Sequence, residues 1–327
     1  MTPPPAKRIL FHHDFDGICA AAVLLRFFGH GVEVEPVDYV LRATWPSLRL
    51  SETAIVDFLF HPDATWWFDH HVTSFISPQF RKLYTPSPSH RWDTRFLSCP
   101  PLVLGVLSEQ ADIADLVAIF REWVRWSDII DGARYESAGQ AIFGQSACIT
   151  INNALNETSE PSLRIDLVQR IAKGDSPVEI AESEPVRALA LRFVDRQADA
   201  LNQTVGHLHR CGSVGLVDIT DTSLPFSRYA AYIIDPDILY SITAYDSHAA
   251  DHRYRVSLSA SPWRESGKNV VNMGALARQY GGGGRASVGS IAFDSQNDCR
   301  RVARELARDI DRGEILAATK GRNGGSA

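Results

Sequence analysis

Three short apolar runs in the N-terminal part of the chain each stop at residues that bind cations. Arg8 to Phe11 leads into His12-His13-Asp14-Phe15-Asp16-Gly17, Ala54-Ile55-Val56 into Asp57, and Thr65 to Phe68 into Asp69-His70-His71. Runs of this length read as buried strands. The segment after the first, Ile18 to Phe28, is apolar and rich in Ala, which suits a helix packed closely on a sheet. Val32 to Val37 is a further strand candidate. Strands alternating with helical segments predict a parallel α/β sheet. Such a sheet delivers the carboxyl ends of its strands to one edge, where ligands bind. Acids gathered at one edge repel one another unless a cation neutralises them.

Each motif taken alone has an ordinary explanation. Asp and Gly favour turns, so His12 to Gly17 reads equally well as a solvated loop. An acid directly after a strand reads equally well as a helix N-cap. In an extended Asp-x-Asp, however, the Asp14 and Asp16 carboxylates point to the same side and can reach adjacent cations, while Gly17 permits the turn into the helix. His13 is an alternative to His12, although adjacent strand residues point to opposite faces. Asp112 to Trp126 carries Ile113, Leu116, Val117, Phe120 and Val124 at helical spacing, which puts Ser127 to Asp131 at or just beyond a helix end. Asp128 and Asp131 can then face a cavity, with Asp131 either supporting a ligand or simply solvated.

The pattern changes along the chain. Pro161 to Glu184 is polar and helical, and Pro185 to Leu208 reads as one further helix. From Cys211 onward come a strand (Gly212 to Ile219), a helix (Phe226 to Ile234), two strands (Tyr240 to Tyr245 and Tyr254 to Ala260), a helix (Val271 to Tyr280), the run Gly281-Gly282-Gly283-Gly284-Arg285, a strand (Val288 to Phe293) and a last helix (Asp298 to Arg312). This predicts a parallel-sheet α/β domain over 1–184, a linker helix over 185–209 and a smaller α+β domain over 210–327, with a disordered tail from Gly321. A length of 327 residues fits two domains.

Composition removes several function classes. Apolar residues make up 45% and charged residues 22%, as in an ordinary globular protein. A formal net charge of -6 argues against a protein that coats duplex nucleic acid through phosphate neutralisation. It leaves room for a small phosphate-bearing substrate, because a metal cluster supplies local positive charge. The five cysteines form no Cys-x-x-Cys pair, so neither a disulfide framework nor a zinc ribbon is indicated. No signal-peptide apolar region or membrane span is visible, and a cytoplasmic location is expected.

The ordered set His12-x-Asp14-x-Asp16-Gly17, Asp57, Asp69-His70-His71 and Ser127-Asp128, followed by Gly281 to Arg285, resembles the DHH phosphoesterase superfamily over nearly the whole chain. That superfamily includes RecJ exonucleases, nanoRNA and pAp phosphatases, cyclic-dinucleotide phosphodiesterases and family II pyrophosphatases. The resemblance implies a DHH domain followed by a DHH-associated substrate-binding domain. It further implies that His12 and Asp14 bind one cation, that Asp16, His70 and Asp128 bind a second, and that Asp57 bridges them. Asp69 would orient an imidazole, and His71 would contact the scissile phosphate, so that Asp57, Asp69, His70 and His71 form the catalytic set. Two such cations stabilise both the attacking and the leaving oxygen of a phosphoryl group. Mixed carboxylate and imidazole ligands suit Mn²⁺ and tolerate Mg²⁺. The expected substrate is a short single-stranded nucleic acid or a small nucleotide, held by His71 and by Gly281, Gly282, Gly283, Gly284 and Arg285. A homodimer is left open.

Two positions depart from the family pattern. Relatives place His after the glycines, where Arg285 stands here; Arg can grip phosphate bidentately but cannot shuttle a proton. The family's Ser-Leu-Arg-Ser element is altered to Val256-Ser257-Leu258-Ser259-Ala260, with Ser259 in place of the Arg. These changes keep open a non-catalytic nucleotide-binding protein. A haloacid-dehalogenase-like phosphatase also begins with a strand and Asp-x-Asp-Gly, its first Asp acting as a covalent nucleophile, but it leaves Asp69-His70-His71 unexplained.

Overall fold

The computed structural model describes residues 4–29, 31–247, 252–264 and 271–315; the expected tail from Gly321 lies outside them. The chain divides into two compact units, residues 1–135 with 144–193, and residues 136–143 with 194–327.

In the first unit the elements run β1 (Arg8–His12), α1 (Phe15–Phe28), β2 (Glu33–Val37), β3 (Thr53–Val56), β4 (Trp66–Asp69), α2 (Pro78–Leu83), β5 (His90–Trp92), α3 (Cys99–Ser108) and α4 (Ala114–Asp131). After α5 (Ala138–Phe143), which belongs to the second unit, come α6 (Ala147–Glu157), α7 (Pro161–Lys173), α8 (Pro177–Ala181) and α9 (Glu184–Thr204), the last running across the division. The sheet has the order β2-β1-β3-β4-β5 and every pairing is parallel. All residues of β3 and β4 are buried, as expected of strands covered on both faces. Ala20, Ala21 and Ala22 in α1 are fully buried, so the helix sits close to the sheet. On one side of the sheet Leu10, Ile55 and Trp67 pack with Trp45, Phe58 and Phe60. The Trp67 indole N–H donates to the Phe58 carbonyl at 2.9 Å, which satisfies its polar atom inside that cluster.

The second unit continues with β6 (Leu208–Cys211), β7 (Val214–Ile219), α10 (Ala230–Ile234), β8 (Tyr240–Asp246), β9 (Tyr254–Ala260), α11 (Met273–Gln279), β10 (Gly283–Gly284), β11 (Val288–Phe293) and α12 (Gln296–Asp311). Its sheet is mixed, in the order β10-β11-β9-β8-β7-β6, with β7 and β8 parallel. Ile242, Val256, Leu258 and Ile291 form its core with Leu276 of α11 and Leu306 of α12. The chain thus joins a parallel α/β unit to a smaller α+β unit.

Several boundaries differ from the sequence reading. The helix expected to stop at Trp126 continues through Asp131, with Gly132 as its C-cap. The helical stretch 161–184 is broken in two at Gly174, whose φ of 108° closes α7. The helix expected over 185–209 ends at Thr204, and Leu208 and His209 fall in β6, while the helix expected from Phe226 is confined to Ala230–Ile234. All five cysteines are free. Among the described residues no helix is long and apolar enough to cross a membrane.

Candidate metal centre

The carboxyl ends of β1, β3 and β4 bring the predicted residues together in the first unit. His12 closes β1, and Asp14 caps α1, its carboxylate accepting from the Gly17 N–H at 3.0 Å and lying 2.8 Å from His12 Nδ1. Gly17 is required by space: a Cβ there would run into the His12 carbonyl. In the first turn of α1, Asp16 is 2% exposed, and both of its oxygens accept from the N–H of Cys99 at the start of α3, at 2.9 and 3.1 Å.

Asp57 follows β3 with φ 56°, in the left-handed region that a non-glycine residue enters at a cost of about 1–3 kcal/mol. Its N–H donates to Phe68 across the sheet at 2.9 Å, and its carboxylate is fully buried. Neither carboxylate oxygen receives a hydrogen bond. Around it, at ion-pair distance, stand His12 Nδ1 (3.6 Å), His71 Nδ1 (3.3 Å) and His70 Nε2 (3.4 Å).

At the end of β4, Asp69 Oδ1 accepts from the backbone N–H groups of His70 (2.8 Å) and His71 (3.2 Å) and lies 2.9 Å from His71 Nδ1. His70 Nδ1 meets the Phe96 carbonyl at 3.2 Å. Its Nε2 faces Asp16 Oδ2 (3.3 Å), Asp57 Oδ1 (3.4 Å) and Asp131 Oδ2 (3.5 Å), and has no hydrogen-bond partner. A ring that donates through Nδ1 presents Nε2 as the ligand nitrogen.

Three overlapping sets of donor atoms result: His12, Asp14 and Asp57; Asp16, His70 and Asp131; and Asp57, Asp69, His70 and His71. The second set contains Asp131, where the sequence reading put Asp128. Asp128 is turned instead toward Ser98, whose hydroxyl donates to it at 2.6 Å.

The electrostatics express a surplus of negative charge. Burial alone would lower His12, but the charge and hydrogen bond of Asp14, with Asp57 close by, push it up to about 11. Burial is likewise outweighed at His70, pushed up to about 12 by Asp16 and Asp57, and at His71, pushed up to about 10 by Asp69 and Asp57. Burial and the Asp57 charge raise Asp16 well above the usual carboxylate range. Burial would also raise Asp57, yet the three imidazoles hold it well below that range. The orphaned Asp57 oxygens and His70 Nε2, in a buried set of mixed oxygen and nitrogen donors, fit divalent metal binding.

The remaining predicted residues lie elsewhere. His13 stacks on His12 with centroids 4.9 Å apart and directs Nδ1 to Asp38 at 3.3 Å. Gly281 to Arg285 belongs to the second unit, where Gly284 (φ 146°) crowds Val288 so closely that a Cβ would strike its carbonyl, and the Arg285 carbonyl accepts from Gly274 at 2.8 Å. Ser259 is buried, its hydroxyl 2.9 Å from the Tyr232 hydroxyl. Sequence reasoning missed Trp92, whose indole N–H donates to the His71 carbonyl at 2.7 Å, and Arg164, which donates to the His13 carbonyl at 2.8 Å. No local signal marks Arg164, which lies 151 residues from its partner.

No protein-family model matches the sequence, and no curated protein matches it. Solved structures do match. The chain is similar to a pGpG-specific phosphodiesterase, PggH from Vibrio cholerae, at 18% identity and a TM-score of 0.71, over 93% of this chain and 99% of that one. It is similar to RecJ from Thermus thermophilus in complex with Mn²⁺, at 14% identity and a TM-score of 0.54, over 93% of this chain and 52% of that one. A structure titled as the DHH domain of a member of the s1p family of ribosomal proteins matches at 14% identity and a TM-score of 0.57, over 95% of this chain and 87% of that one. At such identities the likeness is one of fold, and the fold is that of the DHH-domain proteins.

Proposed function

We propose that this chain is a DHH-superfamily phosphoesterase that hydrolyses phosphoester bonds in short nucleotides with the help of two divalent cations, Mn²⁺ first among them. The observation that carries this reading is Asp57, a fully buried carboxylate with no hydrogen bond to either oxygen, ringed by three imidazoles and linked through His70 to a second set of acids. His12, Asp14 and Asp57 would hold one cation, and Asp16, His70 and Asp131 the other, with Asp57 between them. Such a pair, when bound, supplies Lewis-acid stabilisation to the attacking and leaving oxygens of a phosphoryl group.

The chain's own residues supply the rest. Asp69 takes three donors on one oxygen and so fixes the His70-His71 backbone and the His71 ring. With Nδ1 held by Asp69, His71 has Nε2 left to donate to a phosphate oxygen. Trp92 and Ser74 both donate to the His71 carbonyl and hold that residue from behind. Phe96, through its carbonyl, sets the ring of His70. Gly281 to Gly284 and Arg285 of the second unit are the candidate nucleotide-binding residues of that unit.

A linear dinucleotide heads the list of substrates, because the structure matched along 99% of its length is titled a pGpG-specific phosphodiesterase. The test is a panel of pGpG, pAp, short oligoribonucleotides, a cyclic dinucleotide and pyrophosphate, assayed with Mn²⁺. Hydrolysis of at least one is expected, with Asp57→Asn lowering kcat by on the order of 10²–10³-fold. Metal-loaded protein that cleaves none of them would overturn the enzyme reading, and tight nucleotide binding without turnover would favour a regulatory protein.

A further inference from the structure

Arg164, in the first turns of α7, is 5% exposed, and its guanidinium is satisfied by main-chain carbonyls. Nε donates to His13 at 2.8 Å, Nη2 to Leu155 at 3.1 Å and Nη1 to Glu160 at 3.2 Å. Among the described residues no carboxylate stands within ion-pair distance of it, although Asp14 and Asp38 lie near enough to favour its charge. A buried cation without a bonded counter-ion is costly, and a well-packed apolar residue of similar volume commonly serves stability as well or better. Packing alone therefore gives no account of an arginine here.

What it touches does. The His13 carbonyl belongs to the peptide that joins His13 to Asp14, in the two-residue link between β1 and α1. The peptide is planar, so fixing its carbonyl fixes the Asp14 nitrogen and Cα, the point from which the Asp14 side chain leaves the main chain. His12 is the residue before, and its Nδ1 is bonded to that same Asp14 carboxylate. The other two bonds anchor the fork to the last turn of α6, where carbonyls lack helical partners, and to the residue that caps α7. A planar guanidinium with donors in a fixed fork can hold three carbonyls from three segments at once, which a lysine cannot.

We propose that Arg164 is a positioning residue for the metal centre: it sets the His12 and Asp14 pair, and through them the affinity of the cation that this pair holds, while leaving the Asp16, His70 and Asp131 set untouched. The proposal rests on the two-cation reading given above. It separates two roles that a single activity assay would merge, since loss of a helix cap weakens the whole unit, whereas loss of a positioning bond weakens one cation site.

The experiment titrates Mn²⁺ into metal-free wild type, Arg164→Met and Arg164→Lys, followed by calorimetry and electron paramagnetic resonance, with thermal melts of the same metal-free samples. In wild type, two ions are expected to bind and to give the spectrum of a coupled pair. In Arg164→Met, one ion is expected to bind about 10–100-fold more weakly, while the other keeps its affinity, so that an isolated-ion spectrum persists where wild type already shows the pair. Arg164→Lys retains the charge but gathers its donors on a single nitrogen, and is expected to recover part of the loss; it also carries the test if the Met variant does not fold. Equal affinities for both ions in either folded variant, or a loss shared equally by the two ions and tracking the melting temperature, would overturn the assignment of Arg164 alone. A wild-type chain that binds no pair of ions would overturn the two-cation reading and this assignment with it.

Discussion

Loading the metal centre should expel protons, and the number can be worked from the structure. In the cation-free chain burial disfavours charge on His12 and His70, yet their carboxylate neighbours push them up to about 11 and about 12. Both rings therefore carry a proton at neutral pH. An imidazolium nitrogen has no lone pair to offer, so each ring that becomes a ligand gives up one proton. Asp16, raised well above the carboxylate range by burial and by Asp57, is positioned to add a further fraction. The sign follows directly: raising the pH removes the competing protons and strengthens binding. With two protons displaced, the apparent affinity for the pair of cations should rise by about 100-fold for each pH unit through the neutral range. Calorimetric titration with Mn²⁺ in buffers of different ionisation enthalpy reads the proton count from the slope of heat against buffer enthalpy, and repeating it at two pH values reads the affinity change. A count near zero with an affinity that does not move with pH would show that His12 and His70 do not act as the ligands.

Two substitutions probe the local geometry. Asp131→Asn should abolish binding of the cation held with Asp16 and His70, whereas Asp128→Asn should cost only about 1 kcal/mol through the weakened Ser98 bond and leave metal stoichiometry unchanged; metal analysis of the two purified variants distinguishes them. Gly17→Ala should lower the melting temperature and weaken metal binding together, because the added Cβ meets the His12 carbonyl and overpacking of this kind costs about 1–3 kcal/mol; a variant with wild-type melting and metal affinity would contradict that reading of the turn.

The sheet edge was legible in the sequence because each of β1, β3 and β4 is an apolar run that stops at an acid, and a parallel sheet leaves little freedom over where such ends go. The choice between Asp128 and Asp131 was not. The two lie three residues apart on α4, about 300° around the axis, and which of them meets the sheet depends on the helix's rotation against its neighbours. The apolar periodicity faded at Trp126, so the extra turn that carries Asp131 toward His70 left no sign in the pattern. Asp57 was found as an acid after a strand, but its left-handed backbone, held in place with its N–H on the Phe68 carbonyl, is a tertiary feature that the apolar pattern does not report. Arg164 was invisible for the same reason: its partner is distant in sequence, and an arginine within a polar helix looks solvated.

The claim that two cations share Asp57 is tested most directly by anomalous diffraction from crystals soaked in Mn²⁺. Two anomalous peaks are expected, one contacted by His12, Asp14 and Asp57 and the other by Asp16, His70, Asp131 and Asp57. A single peak, or a pair of peaks that Asp57 does not touch, would contradict it.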